Sequence, residues 1–245
     1  MARILARRPV LGGIGALSGL GLLPGAGRRA AQAGPRETAR AVVGIRAEAD
    51  PEARSAATLG RERQGSGVLI DAAGLVLTIG YLILEASGIE IHGEGRVVPG
   101  EIVAYDGESG FGLVRALGPL GLSPAPLGRA RDLPIGTPLF VLARTGGLDG
   151  RPVTLVDRRE FAGYWEYLLE DALFTSPPFE AFGGAVLIDA EGAVVGIGSL
   201  FVADAAGKGV ASPGNMFVPI DLLPPVLGDL LAFGRRRAPV RPWLG

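Results

Sequence analysis

From about residue 41 to residue 220 the chain is cut into short apolar runs by Gly, Pro and Asp at close, regular intervals. That punctuation constrains the fold more than any other feature, because 40 Gly and 19 Pro in 245 residues break helices before they reach useful length. Runs of this kind are strands joined by tight turns, and their number points to barrels or a sandwich. The expected strands of the first half are Ala41–Glu48, Ser66–Asp71, Leu75–Thr78, Gly88–His92, Arg96–Tyr105 and Phe111–Ala116. Asp71-Ala72-Ala73-Gly74 is a turn between two of them. The polar stretch 49–64 reads as an exposed loop, and the Gly/Pro-rich Pro119–Pro126 as a linker.

The second half repeats the style, with strands expected near Pro138–Arg144, Pro152–Arg159, Tyr164–Thr175, Gly184–Asp189, Ala193–Val202 and Asn215–Pro219. Asp221–Phe233 reads as a closing helix, with Asp221 as N-cap and Gly234 as C-cap. Its apolar stripe is Leu222, Leu223, Val226, Leu227, Leu230 and Leu231. The fold class is therefore all-β: two six-stranded halves, about 41–118 and about 126–220, followed by a helix at 221–233.

Residues 1–33 read as an export signal: Arg3, Arg7 and Arg8 precede an apolar run to Leu23, and Ala31-Gln32-Ala33 has the form of a cleavage site. The Arg7-Arg8 pair resembles a twin-arginine signal, with an uncleaved anchor as the rival reading. Localisation is expected to be the periplasm or cell envelope. Without that segment 19 basic residues face 25 acidic ones, a net charge of −6. Such a chain has no electrostatic reason to seek nucleic acid. The absence of Cys removes disulfides and thiolate sites, and a single histidine, His92, argues against His/Cys zinc sites. No metal and no cofactor is expected.

Several segments in order resemble the HtrA/DegP branch of trypsin-like serine proteases. Gly65-Ser66-Gly67-Val68-Leu69-Ile70-Asp71 and Gly74-Leu75-Val76-Leu77-Thr78 are similar to that family's Gly-Ser-Gly strand, turn and threonine-ended strand. Gly183-Gly184-Ala185-Val186-Leu187-Ile188-Asp189 and Gly192-Ala193-Val194-Val195-Gly196-Ile197 resemble its nucleophile segment and following hairpin. Met216-Phe217-Val218-Pro219-Ile220 resembles the strand entering its C-terminal helix. The resemblance implies a chymotrypsin-like double six-stranded β-barrel. It also implies a general-base His three residues after Thr78, an Asp four residues after Asp106, and a Ser before Gly183-Gly184. Those positions hold Tyr81, Gly110 and Phe182.

None of the three can replace what the resemblance expects there. A tyrosine with a pKa near 10 is a poor base at neutral pH. Gly110 has no side chain, and Phe182 no nucleophile. Loss of one triad member alone costs on the order of 10⁶ in turnover in another fold. The chain is thus expected to be a pseudoprotease, a non-enzyme that binds or scaffolds polypeptide clients or partners an active homologue. The family's habit of trimerising implies a homo-oligomer. The alternatives are an active serine endopeptidase of extracytoplasmic quality control, its site unrecognised or completed in trans, and a purely structural anchor.

The expected peptide-binding residues are Phe182 and Gly183 with the strand edge Gly196, Ile197, Gly198 and Ser199. His92 is read as a surface strand residue, Thr175 and Ser176 as loop residues, and Tyr164-Trp165-Glu166-Tyr167 as a half-buried strand. Residues 235–245 form a basic linker in which Arg241-Pro242-Trp243-Leu244-Gly245 resembles the lead-in to a PDZ domain, so the chain is expected to be a fragment without that module.

Overall fold

A computed structural model describes residues 34–163 and 168–237. The export signal, the Tyr164–Tyr167 cluster and the linker beyond 237 lie outside the described residues.

A short helix, α1 (Pro35–Ala41), leads into the first barrel. Its strands are β1 (Val42–Ala49), β2 (Glu62–Leu69), β3 (Leu75–Ile79), β4 (Ala86–His92), β5 (Val97–Tyr105) and β6 (Phe111–Ala116), closed in the order 1-2-3-6-5-4. The second comprises β7 (Pro138–Arg144), β8 (Leu148–Phe161), β9 (Leu169–Ser176), β10 (Val186–Ile188), β11 (Val194–Val202) and β12 (Gly214–Pro219). It closes as 10-11-12-9-8-7, which is the same circuit moved along by six strands. Every pairing between these strands is antiparallel. The expected double six-stranded barrel is what the chain forms.

β10, β12 and the first half of β11 read as unbroken apolar runs because both of their faces are buried. Leu187 and Phe217 pack into that barrel's own cluster with Leu139, Leu155 and Leu173. Their neighbours Val186, Ile188, Met216 and Val218 turn the other way and join the larger cluster that includes Ile45, Val68 and Leu77 of the first barrel. A period of two with two apolar faces leaves no polar alternation to see.

Two local expectations are corrected. The stretch 49–64 is not all exposed loop: it holds α2 (Ala56–Leu59), and β2 begins at Glu62 with Arg63 buried at 5 % exposure. The closing helix α3 runs over Pro224–Phe233, three residues later than expected, after a 3₁₀ turn at Ile220–Leu222. The prolines set this start, since their missing N–H and fixed φ suit a first turn and no later one. Asp221 therefore does not cap the helix. Its carboxylate accepts from the backbone N–H of Ala130 at 2.7 Å and of Arg131 at 3.1 Å, tying the linker to the chain after β12. Gly234 does end the helix in the left-handed conformation at φ 69°.

Beyond α3 the chain is strapped back onto the first barrel. Arg236 forks onto Asp106 with two bonds of 2.6 Å and reaches Glu108 at 2.9 Å. Ser109 also donates to Asp106, which is 3 % exposed. Burial alone would raise the Asp106 pKa, but the bonds from Arg236 and Ser109 outweigh it and the carboxyl sits below its ordinary range. A lowered folded pKa adds stability above pH ~4, the usual aspartate range, and loses it as pH falls through the folded value. The stability advantage of the natural chain over Asp106→Asn, from urea unfolding, should therefore shrink between neutral pH and pH ~3. Arg236→Ala, which strands a buried carboxylate, should cost about 3 kcal/mol at pH 7.

Candidate functional site

The site begins at Ser66, in the middle of Gly65-Ser66-Gly67. Ser66 is fully buried, and its polar groups all leave for other segments. Its N–H donates to the Gly183 carbonyl at 2.9 Å. Its Oγ accepts from the Arg144 N–H at 2.8 Å, and its carbonyl accepts from Thr78 Oγ1 at 2.6 Å. One residue of β2 is thereby joined to β3, to the end of β7 and to the turn before β10. The flanking glycines are what let the backbones meet. A Cβ on Gly65 would lie 2.6 Å from the Gly183 carbonyl, and one on Gly184, at φ 69°, would lie 2.0 Å from the Ser66 carbonyl.

Above this knot lies a cleft of about 340 Å³, open to solvent, lined by Arg63, Gln64, Tyr81, Thr145, Glu180 and Phe182 among others. Tyr81 stands on the single 3₁₀ turn Gly80–Leu82 that follows β3. It is gripped at both ends. Its carbonyl accepts from Arg63 Nη1 at 3.0 Å, and its hydroxyl crosses to the second barrel and donates to the Ser199 carbonyl at 2.8 Å. A Cβ on Gly183 would come within 3.1 Å of that same hydroxyl. Tyr81, Phe182 and Gly183 thus meet in one place.

Gly110 sits beneath them, tied to the same turn by a 2.6 Å bond from the Gly80 N–H to its carbonyl. Its φ of 81° is left-handed. An aspartate would hold that conformation only at a cost of roughly 1–2 kcal/mol. The three positions singled out in the sequence therefore converge on the cleft and on the turn that floors it.

The remaining candidates are placed differently. Gly196, Ile197 and Gly198 offer no free edge, because β11 is paired with β10 through Leu187↔Gly196 and Val186↔Ile197, and with β12 through residues 196–198. Gly198 in addition exchanges backbone bonds with Gly184 and Ala185. This corrects the expected peptide-binding edge. On the β10 side the described ladder runs as far as Gly198, and the Ser199 carbonyl accepts from Tyr81. His92, at the end of β4, lines a neighbouring groove and lies 3.2 Å from Glu90. Ser176 donates to the Pro213 carbonyl at 3.2 Å, and Thr175 is buried in β9. Neither lines the cleft.

Arg63 and Ser66 hold the site together; the sequence marks Ser66 only as part of the Gly-Ser-Gly motif, and Arg63 not at all. Arg63 is buried, and its guanidinium binds the carbonyls of Gly60, Tyr81 and Leu84 and the Ser55 hydroxyl. Burial lowers its pKa, against the pull of Glu85.

Comparison with known proteins bears on this cleft. The trypsin-like peptidase domain matches residues 65–197, from the Gly-Ser-Gly strand through the Gly-Gly hairpin. The serine protease PepD of Mycobacterium tuberculosis (strain ATCC 25618 / H37Rv) is 28% identical over 204 residues, covering 72% of this chain and 43% of that protein. The putative serine protease HhoA of Synechocystis sp. (strain ATCC 27184 / PCC 6803 / Kazusa) is 30% identical over 179 residues, 70% of this chain and 44% of that protein. The chain thus spans less than half the length of these curated relatives. Among solved structures, the HtrA-type protease AlgW with a tripeptide superposes with a TM-score of 0.66 at 20% identity, over 81% of this chain and 62% of that one.

Removing the Ser66 hydroxyl takes the acceptor from the Arg144 N–H, so Ser66→Ala should cost about 1–3 kcal/mol. Tyr81→Phe takes the donor from the carbonyl of the fully buried Ser199 and should cost about 1–3 kcal/mol as well. Thermal melts should show both variants destabilised by comparable amounts.

Proposed function

The chain belongs to the family of trypsin-like peptidase domains, and on that premise we propose that it is a non-catalytic member, holding extended polypeptide in the interbarrel cleft without cutting it. The observation that carries the reading is the commitment of Tyr81. Where the resemblance expects an imidazole base, a phenol hydroxyl is already donating to the Ser199 carbonyl. Acyl transfer needs a group that takes the nucleophile's proton near neutral pH and a carboxylate that orients it. Tyr81, with the backbone-only Gly110 below it and Phe182 beside it, supplies none of these functions. The chain's one histidine is His92 in the adjacent groove.

What supports binding is main chain rather than side chain. β2 is paired with β1 along Glu62–Val68, yet with β3 only along Gly67–Leu69. Among the described residues the β3-facing edge at Glu62–Gly65 thus borders the cleft without a strand against it. Among them, too, the β10-facing side of β11 at Leu200–Val202 is a second edge. Strand addition at such edges draws affinity from backbone hydrogen bonds and does not need the reaction.

The partner is thus a polypeptide client or an active homologue. The basic, apolar and small-residue order of residues 1–33 supports a site of action outside the cytoplasm. Among the described residues no helix is long and apolar enough to cross a membrane.

Fluorescein-labelled unfolded casein tests both halves of the proposal. Its anisotropy should rise with the purified chain while no small labelled fragments are released, and Phe182→Ala should leave that absence of cleavage unchanged. Fragments accumulating with the natural chain would overturn the non-catalytic half; a flat anisotropy trace would overturn the binding half.

A further inference from the structure

A second concavity opens beside the cleft, of about 280 Å³, whose lining includes Gly44, Arg46, His92, Arg96, Val97 and Arg144. Three guanidiniums and the only imidazole of an otherwise acidic chain meet there from separate elements. Arg46 comes from β1, His92 and Arg96 from the β4–β5 hairpin, and Arg144 from the end of β7. Two of the four have acidic companions, Arg46 with Glu62 at 3.4 Å and His92 with Glu90 at 3.2 Å. Arg96 and Arg144 pair with no carboxylate among the described residues. The Arg96 guanidinium donates to the Pro119 carbonyl at 3.4 Å and lies beside Gly121. Arg144 is held through Nε to the Val42 carbonyl at 2.8 Å, which fixes the guanidinium at its base. A guanidinium so oriented suits a carboxylate, which it can take with two parallel bonds.

The groove is continuous with the cleft, since Gln64, Gly65 and Thr145 line both. A chain lying along the open edge of β2 would run from one into the other. Exposed Val97, at 57 %, adds an apolar wall for the side chains between charges. We propose that this groove selects acidic segments of the bound polypeptide, with Arg96 and Arg144 receiving Asp or Glu side chains a few residues beyond the stretch held in the cleft. The assignment rests on the peptide-binding reading above and names the class of sequence it favours. The −6 charge of residues 34–245 disfavours a long polyanion such as nucleic acid, so the attraction is local to the groove.

Two fluorescein-labelled ten-residue peptides decide it, alike except that one carries three consecutive Glu where the other carries Gln. By fluorescence anisotropy at low salt the Glu peptide should bind about tenfold tighter. The preference should fade in about 0.5 M salt, where surface charges are screened. It should also be lost in Arg96→Gln, an exposed change with little structural risk, and in Arg96→Gln/Arg144→Gln, each checked for an unaltered melt. Equal binding of the two peptides would overturn the inference and leave the peptide-binding reading standing. A preference that survives both variants would overturn it too, by moving selectivity elsewhere. Failure of both peptides to bind would overturn the inference together with the reading beneath it.

Discussion

Ser66 is the interaction on which the two barrels depend. A serine whose N–H, carbonyl and hydroxyl are all buried must find three partners or carry a heavy desolvation cost. It finds them in Gly183, Thr78 and Arg144. This fixes the turn before β10 against the start of the first barrel's inner strands. It also explains Gly65, where the Gly183 carbonyl leaves no room for a Cβ, while Gly67 is kept bare by Val76 and Leu77 of β3. The Gly-Ser-Gly motif is structural in this chain before it is anything else.

The cleft inherits its shape from that knot. With the Gly183 turn fixed, Tyr81 can span from the first barrel to the Ser199 carbonyl, and Arg63 locks the backbone beneath it. The tyrosine acts as a strut where the resemblance expects a base. Gly110 serves the turn through its carbonyl and its left-handed φ, which needs no side chain. Close by, Asp106 is engaged by Arg236, so the loop under the cleft is held from the far end of the described chain. Tyr81 and Gly110, two of the positions where the resemblance expects a catalytic group, thus have structural occupations of their own.

Much of the architecture was legible because most turns carry a visible residue, as at Asp71–Gly74, where Asp71 accepts from the Leu75 N–H at 2.7 Å; the Leu84-Glu85 turn into β4, with Glu85 at φ 54°, carries none. Counting from Thr78, Asp106 and Gly183 leads to Tyr81 and Phe182, which line the cleft, and to Gly110, whose carbonyl holds the Tyr81 turn. What stayed hidden was whatever depends on partners distant in sequence. Glu62-Arg63-Gln64 is polar and reads as loop, yet pairing with β1 makes it strand, and carbonyls from Gly60, Tyr81 and Leu84 allow Arg63 to be buried. Asp221 looks like a cap, and only the fold brings Ala130 and Arg131 to it. The open part of β11 was misjudged by a few residues because pairing with β10 leaves no trace in the run Val194–Val202.

We propose that this cleft keeps a protease's geometry without an activated nucleophile. Fluorophosphonate labelling of the purified chain, read by intact mass and peptide mapping beside an active relative, tests it most directly. The account predicts a labelled control and no adduct on this chain. A stoichiometric adduct on any one hydroxyl, whether Ser176, Thr145 in the cleft or another, would mean that an activated nucleophile exists and would contradict it.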